Sequence, residues 1–244
     1  MTRAWAGKRY WLVGASEGLG RSLAHVMSRA GVEVIVSARS QDRLDELVAE
    51  LPGKAEAVAV DITDQDSVDQ AKEAIGEVDG IVFLAGVYWP MSSKKWDVEK
   101  ATAMADINFV GAFRSLGAVM PQFLERGTGH VVLTGSLSGF RGLPKTVGYG
   151  ATKAGIMYLA EGMHADLRNT DIDVQVVNPG FIKTRLTDKN DFKMPFIMEP
   201  EEAAQLFFEH MGTDTFKRSF PRAFSYFFRL SQFLPDWLYY RIFA

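Results

Sequence analysis

The stretch Tyr10-Trp11-Leu12-Val13-Gly14-Ala15-Ser16-Glu17-Gly18-Leu19-Gly20 decides the fold: an apolar run stops at spaced glycines and a helical pattern begins at once. Consecutive apolar residues suit a strand buried on both faces. Glycine permits the tight turn that follows, close approach of the backbone to a ligand, and close packing of helix on strand. Helical spacing then runs from Gly20 to Ala30 and returns between Arg43 and Leu51, where Leu44, Leu47, Val48 and Leu51 share one face.

Outward from this unit, strand-like runs recur at Val32 to Ser37, Ala57 to Val60, Gly80 to Leu84, His130 to Thr134 and Val174 to Val177, with helical stretches between them. Such alternation implies right-handed crossovers, hence an α/β fold with a doubly wound parallel sheet and helices on both faces. Ligands in such folds sit beyond the carboxyl ends of the strands. A chain of 244 residues, 47% hydrophobic, can bury one such core, and no repeat, low-complexity tract or linker divides it. The expected organisation is a catalytic domain over residues 1–215 with residues 216–244 as an extension of the same domain.

A formal net charge of −3 gives no basic excess for nucleic acid. The lack of cysteine removes disulfides, thiol nucleophiles and Cys-type zinc sites. His25, His130, His164 and His210 show no ligand spacing, so no metal site is expected. Without a secretory core near the N-terminus or an apolar run of bilayer length, a cytoplasmic location is expected.

Free N–H groups and the helix dipole at the head of the first helix attract anions, so the glycine loop suits a dinucleotide pyrophosphate. Its candidate contacts are Gly14, Ser16, Gly18, Leu19 and Gly20. In a chain with 22 glycines the bare spacing is weak, and the strand before and helix after are what raise it. The second strand ends in Ser37-Ala38-Arg39-Ser40, where a carboxylate would hold the ribose hydroxyls of NAD. Arg39 instead offers a fork of donors to a 2′-phosphate, which favours NADP over NAD. Glu17 opposes this, since an acid in the loop adds no attraction for a further phosphate.

Tyr149 and Lys153, four apart, can share a helix face; with 7 tyrosines in the chain that pair alone says little. Ser136 stands just past the strand that ends at Thr134, at the sheet edge where a ligand would lie, and Asn108 follows a helical stretch. A carbonyl that accepts hydride develops negative charge on oxygen and needs a hydrogen-bond donor and a proton source, which Ser136 and Tyr149 can supply. A tyrosine normally loses its proton about three pKa units above neutrality, a gap of roughly 4 kcal/mol. The Lys153 ammonium and an oxidised nicotinamide would narrow it. Each residue also has a plain reading: a turn hydroxyl, a helix-end amide, a solvated charge.

Together the residues resemble the short-chain dehydrogenase/reductase family over about residues 8 to 210, through GASEGLG, Asp61-Ile62, Leu84-Ala85-Gly86, Asn108, Ser136, YGATK and Asn178-Pro179-Gly180-Phe181-Ile182-Lys183-Thr184 in that order. The resemblance implies a Rossmann-like domain and a catalytic tetrad of Asn108, Ser136, Tyr149 and Lys153, with Asn108 anchoring a water that relays protons to Lys153. It further implies cofactor contacts by Asp61, Ile62, Ala85, Gly86, Pro179, Gly180, Ile182 and Thr184, and assembly as a homodimer or homotetramer. Two positions depart from the family pattern: Val13 replaces a threonine and Phe83-Leu84 replaces two asparagines. They are read as one coupled, apolar substitution of groups that normally brace each other.

The expected reaction interconverts an alcohol and a carbonyl on a small molecule. Met194-Pro195-Phe196-Ile197-Met198, with Tyr88, Trp89, Met91, Leu137 and Phe140, would make its pocket apolar. From Phe216 to Ala244 the chain carries 11 aromatics and a net charge of +4, against −7 for the rest. Phe220, Phe224, Phe227, Phe228 and Leu234 approximate a helical stripe that Pro235 interrupts. This segment suits a subunit interface, a pocket wall or an anionic membrane surface. The alternative to an oxidoreductase is a cofactor-binding or membrane-docking protein whose tetrad is vestigial.

Overall fold

The structure, a computed structural model, describes residues 3–189 and 194–243. Seven parallel strands form one sheet in the order β3-β2-β1-β4-β5-β6-β7: β1 Arg9–Val13, β2 Glu33–Ser37, β3 Ala55–Ala57, β4 Gly80–Phe83, β5 Thr128–Thr134, β6 Asp171–Pro179 and β7 Lys217–Phe220. The helices are α1 Gly18–Arg29, α2 Gln41–Glu50, α3 Gln65–Ile75, α4 Val98–Ala105, α5 Gly111–Arg126, α6 Val147–Leu167, α7 Pro200–Met211, α8 Arg222–Ser231 and α9 Asp236–Phe243. Among the described residues no helix is long and apolar enough to cross a membrane.

Alternation along each strand divides the core into two layers. On β1, Trp11 and Val13 join Val68 and Ile75 of α3, Leu116 and Phe123 of α5 and Ile156 of α6. Tyr10 and Leu12 turn the other way, onto Leu23 and Met27 of α1, Leu44 and Leu47 of α2 and Phe207 of α7. Both faces are therefore covered, as a parallel sheet requires. Some polar groups drawn into this interior are paired: Trp11 Nε1 donates to Ser37 Oγ at 2.8 Å, which in turn donates to the Val58 carbonyl at 2.6 Å. His130, among the histidines read as non-ligands, is buried between Tyr10 Oη at 2.8 Å and Gln175 Oε1 at 2.9 Å, and burial pulls it down to about 3.

Two elements differ from the sequence reading. The third strand lies at Ala55–Ala57 rather than Ala57 to Val60, although Val58 and Val60 still donate to the carbonyls of Val36 and Ala38 at 3.1 and 2.9 Å. Phe220, placed above in a helical stripe, ends β7, which pairs with β6 from Val176↔Lys217 to Pro179↔Phe220. The helical part of the C-terminal segment begins at Arg222. Strand order reverses between β1 and β4, so a crevice opens beyond their carboxyl ends.

Candidate active site

The glycine loop is held at that reversal by its own backbone. Gly14 and Ala15 donate to the Ser37 carbonyl at 2.7 and 3.1 Å, which ties the end of β1 to the end of β2. Gly14 has φ +94°, and a Cβ there would stand 2.5 Å from the Ala85 nitrogen. A Cβ on Gly20 would stand 2.2 Å from the Gly14 carbonyl oxygen and 2.8 Å from Ala15 Cα. Only glycine leaves these backbones so close, and the head of α1 opens into the crevice between them.

One cavity of about 1120 Å³ runs from this loop to the tetrad end, just above the ~300–1,000 Å³ range usual for ligand pockets. Every residue assigned above to cofactor contact lines it: Gly14, Ser16, Gly18, Leu19 and Gly20 in the loop, Arg39 past β2, Asp61 and Ile62 past β3, Ala85 and Gly86 past β4, and Pro179, Gly180, Ile182 and Thr184 past β6; so do Tyr149 and Lys153 on α6, expected beside the nicotinamide as well as in catalysis. Arg39 is exposed and makes no ion pair among the described residues. Asp61 Oδ1 accepts from the amide and hydroxyl of Thr63 at 3.0 and 2.7 Å, and those bonds hold its carboxyl below the usual carboxylate range. An elongated cavity with a backbone cradle at one end and titratable groups at the other fits a dinucleotide.

At the chemical end, Ser136 caps a short 3₁₀ turn, Leu137–Gly139, and its hydroxyl accepts from Ser138 N at 3.2 Å and Ser138 Oγ at 3.0 Å. Tyr149, in the first turn of α6, lies near the Ser136 hydroxyl, and its ring meets Tyr88 edge-on with centroids 5.2 Å apart. Burial pushes the Tyr149 hydroxyl up to about 12, with Ser136 pulling the other way. The sequence reading expected Lys153 to lower it. Lys153 is buried one turn on, its Nζ donates to the Thr134 carbonyl at 2.8 Å, and it lies 5.7 Å from the centre of the Tyr149 ring. Burial pulls Lys153 itself down to about 8.

Asn108 alone of the tetrad stands off the cavity. It sits in a π-helical turn, Asp106–Val110, between α4 and α5, and is wholly buried. Such turns shift the register of a helix by one residue and are frequent at functional sites. Its Oδ1 accepts from Val87 N at 2.7 Å, while Nδ2 donates to the Val87 carbonyl at 2.9 Å and to Thr152 Oγ1 at 3.2 Å. The amide thus clamps the chain past Gly86, and a Cβ on Gly86 would lie 3.5 Å from Asn108 Oδ1 and 3.7 Å from Lys153 Nζ.

Of the two departures from the family pattern, Val13 and Phe83 are in register and pack into the same core layer, while Leu84 packs toward the other.

The ion pairs at the glycine loop were not foreseen. Glu17 pairs with Arg185 at 2.9 Å and Arg43 at 3.5 Å, tying the glycine loop to α2 and to the chain past β6. Of the apolar set expected around the substrate, Tyr88, Leu137 and Pro195 line the cavity. Met91 and Met198 are instead buried in bridges to Thr146 and Ile182, and Phe196 is exposed. Further wall comes from the C-terminal helices, through Phe224, Phe227, Phe228 and Phe243, in keeping with the pocket-wall reading of that segment. Arg141 seats those helices by donating to the carbonyls of Ser231 and Leu234 at 3.0 and 2.7 Å, pairing with Asp236 and stacking 4.0 Å from the centre of the Tyr239 ring. Arg141 lies some ninety residues away in sequence, so no local pattern announces it.

Comparison with known proteins gives a consistent picture. The short chain dehydrogenase family matches residues 8–194. An uncharacterized oxidoreductase of Myxococcus xanthus is 36% identical over 235 residues, 93% of each chain. One from Staphylococcus saprophyticus is 30% identical over 80% of this chain and 86% of its own. Among solved structures, a short-chain dehydrogenase from Streptomyces avermitilis superimposes with a TM-score of 0.84 at 25% identity, over 97% of this chain and 96% of its own. A short-chain dehydrogenase from Sphingobium yanoikuyae, in complex with NADPH, gives 0.80 at 26% identity, over 88% of both chains.

Proposed function

The chain belongs to the short-chain dehydrogenase/reductase family and is an NAD(P)-dependent oxidoreductase, and from that premise we propose that it transfers hydride between NADP(H) and the carbonyl or alcohol carbon of a hydrophobic small molecule, with Tyr149 exchanging the proton. The observation that carries this reading is the meeting of Ser136, Tyr149 and Lys153 in the same cavity as the glycine cradle.

A reduced nicotinamide, when bound, supplies the hydride. Tyr149 gives its proton to the substrate oxygen as negative charge grows there, and the Ser136 hydroxyl donates a second hydrogen bond to the same oxygen. Tyr149 is protonated at neutral pH, as a proton donor in carbonyl reduction must be. Lys153 stabilises the tyrosinate left behind and holds the nicotinamide ribose. Asn108 acts through the backbone it clamps at Val87.

Arg39, exposed at the far end of the cavity near the Asp61 carboxylate but in no ion pair among the described residues, supports NADP over NAD. The phenylalanine wall supports an apolar substrate. The intact tetrad weighs against a vestigial site. Assembly as a homodimer or homotetramer and a cytoplasmic location belong to the same reading, and Tyr158, 80% exposed on α6, offers apolar surface for a subunit contact.

The test is loss of reduced-nicotinamide absorbance with a series of ketones and aldehydes, from small and polar to long-chain and aromatic. Catalytic efficiency should climb with apolar size and be higher with NADPH than with NADH. Turnover confined to small polar carbonyls, or a preference for NADH, would overturn the assignment.

A further inference from the structure

The outer side of the C-terminal helices is built unlike the rest of the surface. On α8, Phe224 and Phe228 turn into the cavity while Ser225 and Ser231 are buried. Tyr226, Phe227 and Leu230 face outward, followed by Phe233, which is 84% exposed. On α9, Tyr239 is buried, whereas Trp237, at 68% exposure, and Tyr240 and Ile242 are in solvent. Arg222, Tyr226, Arg229 and Phe233 follow one helical stripe, with both guanidinium groups about 6 Å from the Tyr226 ring. Arg222, Arg229 and Arg241 are exposed and form no ion pair among the described residues, while Asp236, the one acid of the segment, is taken by Arg141. The result is an apolar, aromatic patch with interleaved free cations; the other two cations of the segment, Lys217 and Arg218 on β7, are paired with Glu161 and Glu209.

From this we propose that α8 and α9 form a docking surface for an anionic lipid bilayer. Aromatic rings and aliphatic side chains suit the interfacial zone, and unpaired arginines suit acidic headgroups. The negative body is repelled by the same surface, so the molecule lands on its C-terminal helices. A second copy of the chain fits less well, since a two-fold contact would bring three unpaired arginines of each copy together with no free acid to meet them.

The patch is continuous with the active site. Phe227 is half exposed on the outer face, lines the cavity on its inner side, and contacts Phe243, another lining residue, with ring centroids 5.0 Å apart. An apolar carbonyl compound dissolved in the bilayer would pass into the cavity between these rings; this passage rests on the proposed reductase activity, whereas the docking does not.

The experiment is co-sedimentation of the full chain with vesicles of phosphatidylcholine alone or mixed equally with phosphatidylglycerol, alongside analytical ultracentrifugation without lipid. The full chain should bind the mixed vesicles and bind phosphatidylcholine weakly. Replacing Arg222, Arg229 and Arg241 by Gln should weaken binding about fivefold per arginine. Phe233→Asp with Trp237→Asp, at positions that neither line the cavity nor support it, should remove binding while NADPH affinity and turnover of a water-soluble ketone persist. Absence of vesicle binding by the full chain, equal binding by the variants, or an aspartate variant that changes oligomeric state with no lipid effect would overturn the proposal, the last assigning the patch to a subunit contact. If instead the reductase reading fails, no protein turns over any carbonyl, whatever the vesicles show.

Discussion

Replacing Lys153 by methionine should abolish turnover and yet stabilise the apo protein. Burial pulls the ammonium from its ordinary 10.5 to about 8, and with ~1.36 kcal/mol per pKa unit the charged form costs about 3 kcal/mol in the folded state at neutral pH. Its bond to the Thr134 carbonyl, 2.8 Å long, returns about 1 kcal/mol that methionine forfeits. Methionine has a similar length and bends to fit, so the net gain is about 2 kcal/mol, or roughly 4–8 °C in Tm for a chain of this size. The folded pKa lies below the unfolded one, so the penalty is full below about pH 8 and fades as pH rises from 8 to 10.5. The advantage of Lys153→Met should therefore be greatest near pH 7 and close across that window. Urea unfolding of both proteins at several pH values measures it directly. A variant less stable than the parent at pH 7, or a difference that does not change with pH, would refute the claim that the site holds its lysine at an energetic cost.

Gly20→Ala drives a Cβ against the Gly14 carbonyl at 2.2 Å, where both partners are backbone; a loss of roughly 2–3 kcal/mol in unfolding free energy and of NADPH binding by fluorescence titration is expected. Arg39→Ala should weaken NADPH at least tenfold, the value of a charge-assisted phosphate contact, and change NADH little; equal losses for both cofactors would place the 2′-phosphate elsewhere. Val13→Thr puts a hydroxyl into an apolar layer, and Leu84→Asn puts an amide at a half-buried place on the cavity wall. Together they should cost about 2 kcal/mol of stability and leave cofactor Kd within a few fold, so a large change in Kd would show that these positions shape the binding loop.

The alternation of strands and helices was legible because a parallel sheet covered on both faces demands unbroken apolar strands, and the run from Tyr10 to Val13 is such a strand. β7 was not, because Lys217-Arg218-Ser219-Phe220 sits at an edge, pairs on one side only and carries no apolar run. β3 is likewise an edge strand, which is why its ladder is short and displaced from the most apolar residues. In the site, the spacing of Tyr149 and Lys153 said little by itself; their position at the start of α6, with Ser136 just past the end of β5, and the resemblance to a family pattern singled them out, and all three line one cavity. The orientation of Asn108 was hidden, because a π-helical turn set by α4 and α5 aims its amide at Val87 and not into the cavity. The phenylalanines of α8 and α9 were visible as an anomaly, but which of them would line the cavity depended on Arg141, a contact made across the whole fold.

The central claim is that Tyr149 is the proton donor in a working oxidoreductase, and its most direct test is Tyr149→Phe assayed for both NADPH binding and turnover of the best carbonyl found. The substitution removes one hydroxyl and keeps the ring that packs on Tyr88. Binding should persist within a few fold while the catalytic rate falls by at least ~100-fold, the usual contribution of a positioned acid. Turnover close to that of the parent would contradict the account.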